Sequence, residues 1–314
     1  MKKLKVAVIG IGKLGSLHAK IYSQMKEVEL TGVCDIKAKV AKTVARQCNT
    51  AYYTDYRDLL GKQDVVSIAV PTFLHYKIAK DFLKAKTHLL IEKPITTVVK
   101  EANSLLSLAS KNNLTLCVGH IERFNSAIEV FQKLKGDIRF IECHRLGPFS
   151  SRVADVGVVL DLMIHDIDII LGLIKDKVQS IDAVGVNILT KHEDIANARI
   201  KFRNGAICNI TASRVSAKNL RKIRIFQPGA YISIDYIKQE AVLYRKIGRL
   251  IIPRKINIKK QQPLKKELAS FIECIKSGKK PLVSGVEGRD ALKIALDITR
   301  KIKGQTFGRG YTKS

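Results

Sequence analysis

The segment Val6-Ala7-Val8-Ile9-Gly10-Ile11-Gly12-Lys13-Leu14-Gly15 constrains this chain more than any other. An apolar run from Leu4 to Ile9 leads into three closely spaced glycines. A helical pattern (Leu14, Leu17, His18, Ile21) and a second apolar run, Leu30 to Cys34, follow and end on Asp35. Strand, tight turn, helix and second strand in that order form a βαβ unit, which commits the chain to a parallel sheet with helices on its faces. Gly10 allows the tight turn, Gly12 lets a pyrophosphate approach the backbone, and Gly15 lets the helix pack closely on the strand. With Ile11, Lys13 and Leu14 they make a cradle at a helix N-terminus, where free N–H groups face phosphate. Asp35 is placed to accept hydrogen bonds from both ribose hydroxyls and to repel a 2′-phosphate, so the site favours NAD over NADP. Lys37 and Lys39, just beyond, soften that preference.

At 314 residues the chain suits two domains, and 46% apolar content supports a globular core. No run approaches the roughly 18 apolar residues of a membrane span, and Met1-Lys2-Lys3 leads straight into a core strand, so the expected location is the cytoplasm. The six cysteines are scattered without a CxxC pair and read as small buried thiols, with neither zinc nor disulfides indicated. The formal charge is +28, from 56 Lys and Arg against 28 acids, which by itself suggests an anionic partner. The densest stretch, Lys238 to Lys280, carries thirteen basic and three acidic residues and no recognisable nucleic-acid motif. It reads as a solvated lysine-rich surface whose field also attracts an anionic substrate such as a nucleotide sugar, and no nucleic-acid partner is expected.

Strand-like runs at Val65–Val70, His88–Ile91 and Leu114–Val118 alternate with helical patterns at Leu74–Ala85 and Val98–Lys111 and continue the parallel sheet. The rhythm changes near residue 120. A helix over Phe124–Leu134, a strand over Ile138–Arg145 and an apolar helix over Val156–Ile174 are expected, then strands at Ser180–Leu189, Ala196–Phe202, Ala206–Ala212, Lys222–Phe226, Ala230–Asp235 and Ala241–Tyr244. The fold class is α/β: a Rossmann sheet over residues 1–120 and a second α+β domain over 121–314 with an open, largely antiparallel sheet. The tail helices are free to pack back on the first domain.

The helix expected over Val156–Ile174 is apolar yet carries Asp161, His165, Asp166 and Asp168. At about 100° per residue, Asp161, His165 and Asp168 share a face and Asp166 points away. A carboxylate one turn from an imidazole orients it and tunes it for proton transfer. Glu92-Lys93-Pro94 follows a strand at the carboxyl end of the parallel sheet, where open α/β folds bind ligands. From there the Lys93 ammonium can hydrogen-bond an alcohol and stabilise a developing alkoxide.

The set GIGKLG at 10–15, Asp35, VPTFLH at 70–75, EKP at 92–94, GHIERFN at 119–125 and DLMIHDID at 161–168 resembles the Gfo/Idh/MocA oxidoreductases. That resemblance implies hydride transfer between a nicotinamide and a carbon of a sugar, cyclitol or nucleotide sugar. It also implies a second-domain sheet that mediates homo-oligomerisation, as a dimer or tetramer. Carried over, Lys93, Asp161 and His165 fall on the family's catalytic positions, with His165 the proton acceptor. Pro71, Thr72, His75, Glu92 and Lys93 join the cofactor residues. His120, Arg123, Asn125, Arg145, Arg152 and Asp168 are candidate substrate contacts. GHIERFN, RLGPF at 145–149 and DVGVVLDLMIHDID at 155–168 look like the branch that oxidises C3 of UDP-N-acetylglucosamine and supplies an aminotransferase. Met163 and Phe73 stand where the family often has Gly and Asn, which alters the pocket wall. A free sugar or inositol as substrate, and a non-catalytic NAD-binding regulator, are the alternative readings.

Overall fold

The computed structural model describes residues 3–132, 136–150 and 156–304. They form two compact units, one of the residues up to Asn125 with Gln261–Leu292, the other of Ser126–Lys260 with the stretch from Lys293. The first unit contains β1 (Leu4–Ile9), α1 (Lys13–Ser23), β2 (Val28–Cys34), α2 (Ala38–Cys48), β3 (Ala51–Tyr53), β4 (Val65–Ile68), α3 (Thr72–Lys84), β5 (His88–Glu92), α4 (Val99–Lys111) and β6 (Leu116–Gly119). Its six strands are all parallel, in the order β3-β2-β1-β4-β5-β6. The order reverses between β1 and β4, which opens a crevice at their carboxyl ends. Val6, Ala7, Val8, Val65, Val66 and Leu89 are buried because helices cover both faces of the sheet.

The second unit contains α5 (Ser126–Gln132), β7 (Phe140–Leu146), α6 (Ile164–Leu173), β8 (Val178–Val186), β9 (Ile195–Phe202), β10 (Ile207–Ser213), β11 (Leu220–Gln227), β12 (Ala230–Asp235), β13 (Glu240–Ile247) and β14 (Leu250–Ile256). Its strand order is β14-β13-β12-β11-β7-β10-β9-β8, antiparallel except for the parallel pair β7 and β10. Alternate residues of β7 and β8 are buried, as in a sheet with one covered face. The two-residue turn at Asn204-Gly205 has Gly205 at φ +84°, a conformation that favours glycine.

Two more helices complete the chain: α7 (Pro263–Ser277) and α8 (Gly285–Lys303). In the first unit, Leu264, Leu268, Phe271 and Ile272 of α7 pack in one core with Val6, Tyr22 and Leu90.

Three local expectations change. The helix expected over Val156–Ile174 is a π turn at Val159–Met163 followed by α6; the Ile164 N–H reaches back five residues to the Val159 carbonyl. The helix expected from Phe124 starts at Ser126, after a 3₁₀ turn at Ile121–Phe124. The basic stretch after Tyr244 contains a whole strand, β14, hidden because its residues are exposed and show no alternation. Among the described residues no helix is long and apolar enough to cross a membrane.

Candidate active site

The three glycines do different work. A Cβ on Gly10 would lie 2.7 Å from the Ala69 carbonyl and from Val70, and one on Gly15 would lie 1.8 Å from the Gly10 oxygen. Both residues let α1 start directly against β1 and β4. Gly12 is the N-cap of α1, no side chain caps that helix, and its missing Cβ faces open space. The first-turn amides are therefore available to a ligand. Asp35 directly follows β2 with both oxygens held: Oδ2 accepts from the Ile11 N–H and Oδ1 from the Lys37 N–H, each at 2.9 Å.

Gly10, Gly12 and Asp35 line a cleft of about 740 Å³, whereas Gly15 does not. Gly10, Ile11, Gly12 and Asp35 form one wall, with Val70 and Pro71 beside them and Tyr56 and Lys77 among the other lining residues. Volume, a bare backbone turn and a fixed carboxylate fit the adenosine diphosphate half of a dinucleotide. Tyr56 escaped sequence analysis because β3, which leads to it, is three residues long and partly exposed, and Lys77 because a single lysine on α3 carries no motif.

At the carboxyl end of β5, Glu92 is buried with its Oε1 3.2 Å from His18 Nε2 of α1. A Cβ on Gly119 would lie 2.7 Å from the same oxygen, so Gly119 leaves room for the carboxylate at the end of β6. Lys93 follows, half-buried, through a cis peptide to Pro94. His75, placed by its motif among the cofactor residues, is buried between two carbonyls. Its Nδ1 is 2.9 Å from the Pro94 oxygen and its Nε2 2.9 Å from the Val70 oxygen. It ties the turn after β4 to the turn bearing Lys93 and does not line the cleft, nor does Thr72. Burial pushes the His75 pKa below its ordinary value, against the two carbonyls, which favour the charged ring. His120 is pushed down to about 3 by burial and then by the positive charges of Lys93 and Arg123. It is a neutral ring beside two cations.

In the second unit, Asp161 lies in the π turn and His165 in the first turn of α6, both half-buried. Asp168 is buried. The wide turn rotates less per residue than an α-helix, so Asp161 and His165 do not keep the simple α-helical offset. Arg145, expected among the substrate contacts, is instead buried in a bidentate pair with Asp166. Its Nε and Nη2 donate to Oδ2 and Oδ1 at 2.8 and 2.9 Å, and its guanidinium lies 5.4 Å from the Tyr236 ring centre. Sequence analysis put Asp166 on the far face of the helix, and this pair is what occupies that face. The entry to the π turn is stapled from a different side. Arg214 donates to the Val156 carbonyl at 2.7 Å and to Asp194 at 2.7 Å, and the Glu193 carbonyl accepts from the Val158 N–H at 2.9 Å. Burial alone would raise the Asp194 pKa, but N–H donors from Thr190, Ile188 and Leu189, with Arg214, outweigh it and hold the carboxyl below the usual range. In the first unit, Arg123 and Asn125 are buried, with the Asn125 amide 3.4 Å from Glu122. Arg152 lies outside the described residues.

Comparison with known proteins joins these features. The model of an oxidoreductase family with an NAD-binding Rossmann fold matches residues 4–120, and the family's C-terminal domain model matches residues 132–230. The chain is 34% identical over 306 residues to UDP-N-acetylglucosamine 3-dehydrogenase of Acidithiobacillus ferrooxidans, covering 95% of this chain and 97% of the relative. It belongs to the Gfo/Idh/MocA oxidoreductase family. The solved structure of that relative superposes with a TM-score of 0.92 over 96% of this chain and 99% of its own. Myo-inositol 2-dehydrogenase of Thermotoga maritima is 24% identical and covers 96% of this chain and 98% of its own. Levoglucosan dehydrogenase bound to NADH, at 19% identity and TM-score 0.87, covers 96% of this chain and 97% of its own and shares the fold.

As a Gfo/Idh/MocA protein the chain is an NAD-dependent oxidoreductase acting on a sugar hydroxyl, and its cleft is the proposed NAD site. Removal of the Asp35 carboxylate tests the ribose end of that site. Asp35→Ala is expected to weaken NAD binding by about 10- to 100-fold, since a hydrogen bond to a charged group contributes roughly 1.5–3 kcal/mol. NADP, which the carboxylate repels, loses less. Calorimetric titration with both cofactors checks this, and equal losses would restrict Asp35 to holding the Ile11 turn.

Proposed function

We propose that this enzyme oxidises C3 of UDP-N-acetylglucosamine with NAD and that the 3-keto product feeds an aminotransferase, in the building of lipid A or a polysaccharide. The carrying observation is the match to the Acidithiobacillus ferrooxidans enzyme, which extends across both units at 34% identity. His165 accepts the proton of the sugar hydroxyl. Asp161 orients the imidazole and stabilises its charged form. Lys93 hydrogen-bonds the same oxygen and stabilises the alkoxide as the proton leaves. Bound NAD supplies the acceptor for the hydride that departs from the carbon. The +28 charge draws an anionic nucleotide sugar towards the protein. Residues of the GHIERFN segment, His120, Arg123 and Asn125, hold the sugar. On this reading the enzyme is a cytoplasmic homo-oligomer.

A free polyol as substrate is favoured by the 24% identity to the inositol enzyme over 96% of the chain. NADH formation from UDP-N-acetylglucosamine, free N-acetylglucosamine and myo-inositol, with a carbonyl trap present, separates the readings. Turnover confined to the UDP-sugar is expected. Turnover of myo-inositol at an equal or higher kcat/KM would replace the proposed substrate and keep the chemistry.

A further inference from the structure

Glu92 is a buried carboxylate that the proposed chemistry does not use. It is 8% exposed, and His18, whose Nε2 faces its Oε1 at 3.2 Å, is fully buried. Three elements build this acid in. His18 comes from α1 and Glu92 is the last residue of β5. Gly119, paired with Glu92 across the ladder, is the last residue of β6, and a Cβ there would lie 2.7 Å from the same oxygen. Burying a charge is costly, and a glutamine of the same shape would fill this space and still face His18. Packing therefore accounts for the size of the side chain but not for its charge.

The position of Glu92 in the sheet bears on what the charge does. Asp35 and the bare turn at Gly10–Gly12 suit the adenosine diphosphate half of NAD over β1 and β2. A dinucleotide laid across the switch point then carries its second nucleotide beyond β4, over the ends of β5 and β6. Lys93, the next residue, and Arg123 bring positive charge to this end, since both depress the pKa of His120. Glu122, in the turn after β6, is directed to the Asn125 amide at 3.4 Å. A nicotinamide ring is positively charged before it takes up a hydride and neutral afterwards. Two cations disfavour its oxidised form and a buried anion favours it, and low dielectric strengthens both effects.

We propose that Glu92, held by His18, determines specificity for the oxidation state of the cofactor: its carboxylate favours the cationic nicotinamide of NAD over the neutral ring of NADH. The inference rests on NAD occupying the cleft. It gives the charge a use in turnover, because a site that holds NAD in preference to NADH releases the reduced cofactor more readily once the hydride has moved. A Glu92 that only shaped the turn before Lys93 would act differently. NAD and NADH share the same nucleotides and phosphates, so a change of shape would weaken both to a similar extent, whereas a change of charge separates them.

The test is the ratio of NAD to NADH affinity, read by calorimetric titration of each cofactor into the full-length protein without sugar. Glu92→Gln is expected to weaken NAD relative to NADH by about 5- to 20-fold, the effect of a unit charge within about 10 Å at an effective dielectric of about 20. Lys93→Met removes the neighbouring cation and is expected to move the ratio the opposite way. Glu29→Gln removes the same charge from an exposed site near the start of β2 and should leave the ratio within about twofold of native. Circular dichroism confirms the folding of each variant. Equal loss of both cofactors in Glu92→Gln, or a ratio within about twofold of native, would overturn the proposal and leave Glu92 a packing role. Should Glu92→Gln not fold, an unchanged ratio in Lys93→Met would overturn it, because the charges of this turn would then not reach the ring. Failure of the native protein to bind either cofactor would instead refute the NAD reading of the cleft, and the proposal with it.

Discussion

His165→Asn is expected to lower kcat for NADH formation by about 10²–10⁴-fold, the usual contribution of a positioned proton acceptor. That range corresponds to roughly 3–5.5 kcal/mol of transition-state stabilisation. NAD affinity, measured by calorimetry, is expected to stay within about twofold of native, because the cleft lining consists of residues of the first unit and His165 belongs to the second. Lys93→Met should fall in the same range for a different reason: it removes the cation proposed to stabilise the developing alkoxide. On the proposed mechanism both groups act on one oxygen, so the two losses should not add, and the double variant should be scarcely slower than the worse single one. A kcat within a few-fold of native for His165→Asn would remove it from the chemistry and transfer the proton to another acceptor.

Arg145→Met should destabilise the second unit by about 3–5 kcal/mol, because it leaves the Asp166 carboxylate buried without its partner. Urea unfolding followed by circular dichroism reads this loss. The double variant Arg145→Met, Asp166→Leu should recover most of it, since exchanging a buried ion pair for apolar groups of similar volume is often close to neutral. Arg145→Lys should behave more like the single loss, because an ammonium cannot reproduce two parallel N–H donors. Wild-type stability of Arg145→Met combined with a raised KM for the UDP-sugar would restore Arg145 as a substrate contact and overturn the structural role. Arg145 sits on β7 and Asp166 on α6 beside His165, so this pair fixes the helix that presents the proposed proton acceptor.

The part of the site most readable beforehand was also the most local. Gly10, Gly12, Gly15 and Asp35 lie on one βαβ unit, and their roles follow from adjacency along 32 residues, Leu4 to Asp35. The Glu92-Lys93-Pro94 turn was legible for a similar reason, since a strand end in a parallel sheet faces the ligand side. The second unit was harder. Its strands alternate clearly where one face is covered, but β14 has no covered face and so no pattern. The π turn was invisible because inserting one residue into a helix leaves the apolar composition unchanged. It is set by what packs around it, here the Arg214, Asp194 and Glu193 staple at its entry.

By itself the sequence determined the α/β class, the glycine turn between β1 and α1, the carboxylate that follows β2 and the residue types available for proton transfer, because each depends on neighbours a few positions apart. Only the tertiary structure decided that His75 clamps two backbone carbonyls, that Glu92 lies against His18 and Gly119, and that Arg145 is spent on Asp166. Apart from His75 with Val70, five positions away, those contacts join residues from 19 to 74 positions apart. A polar side chain's partner is chosen by which other polar groups are buried with it, and burial is a property of the packed chain.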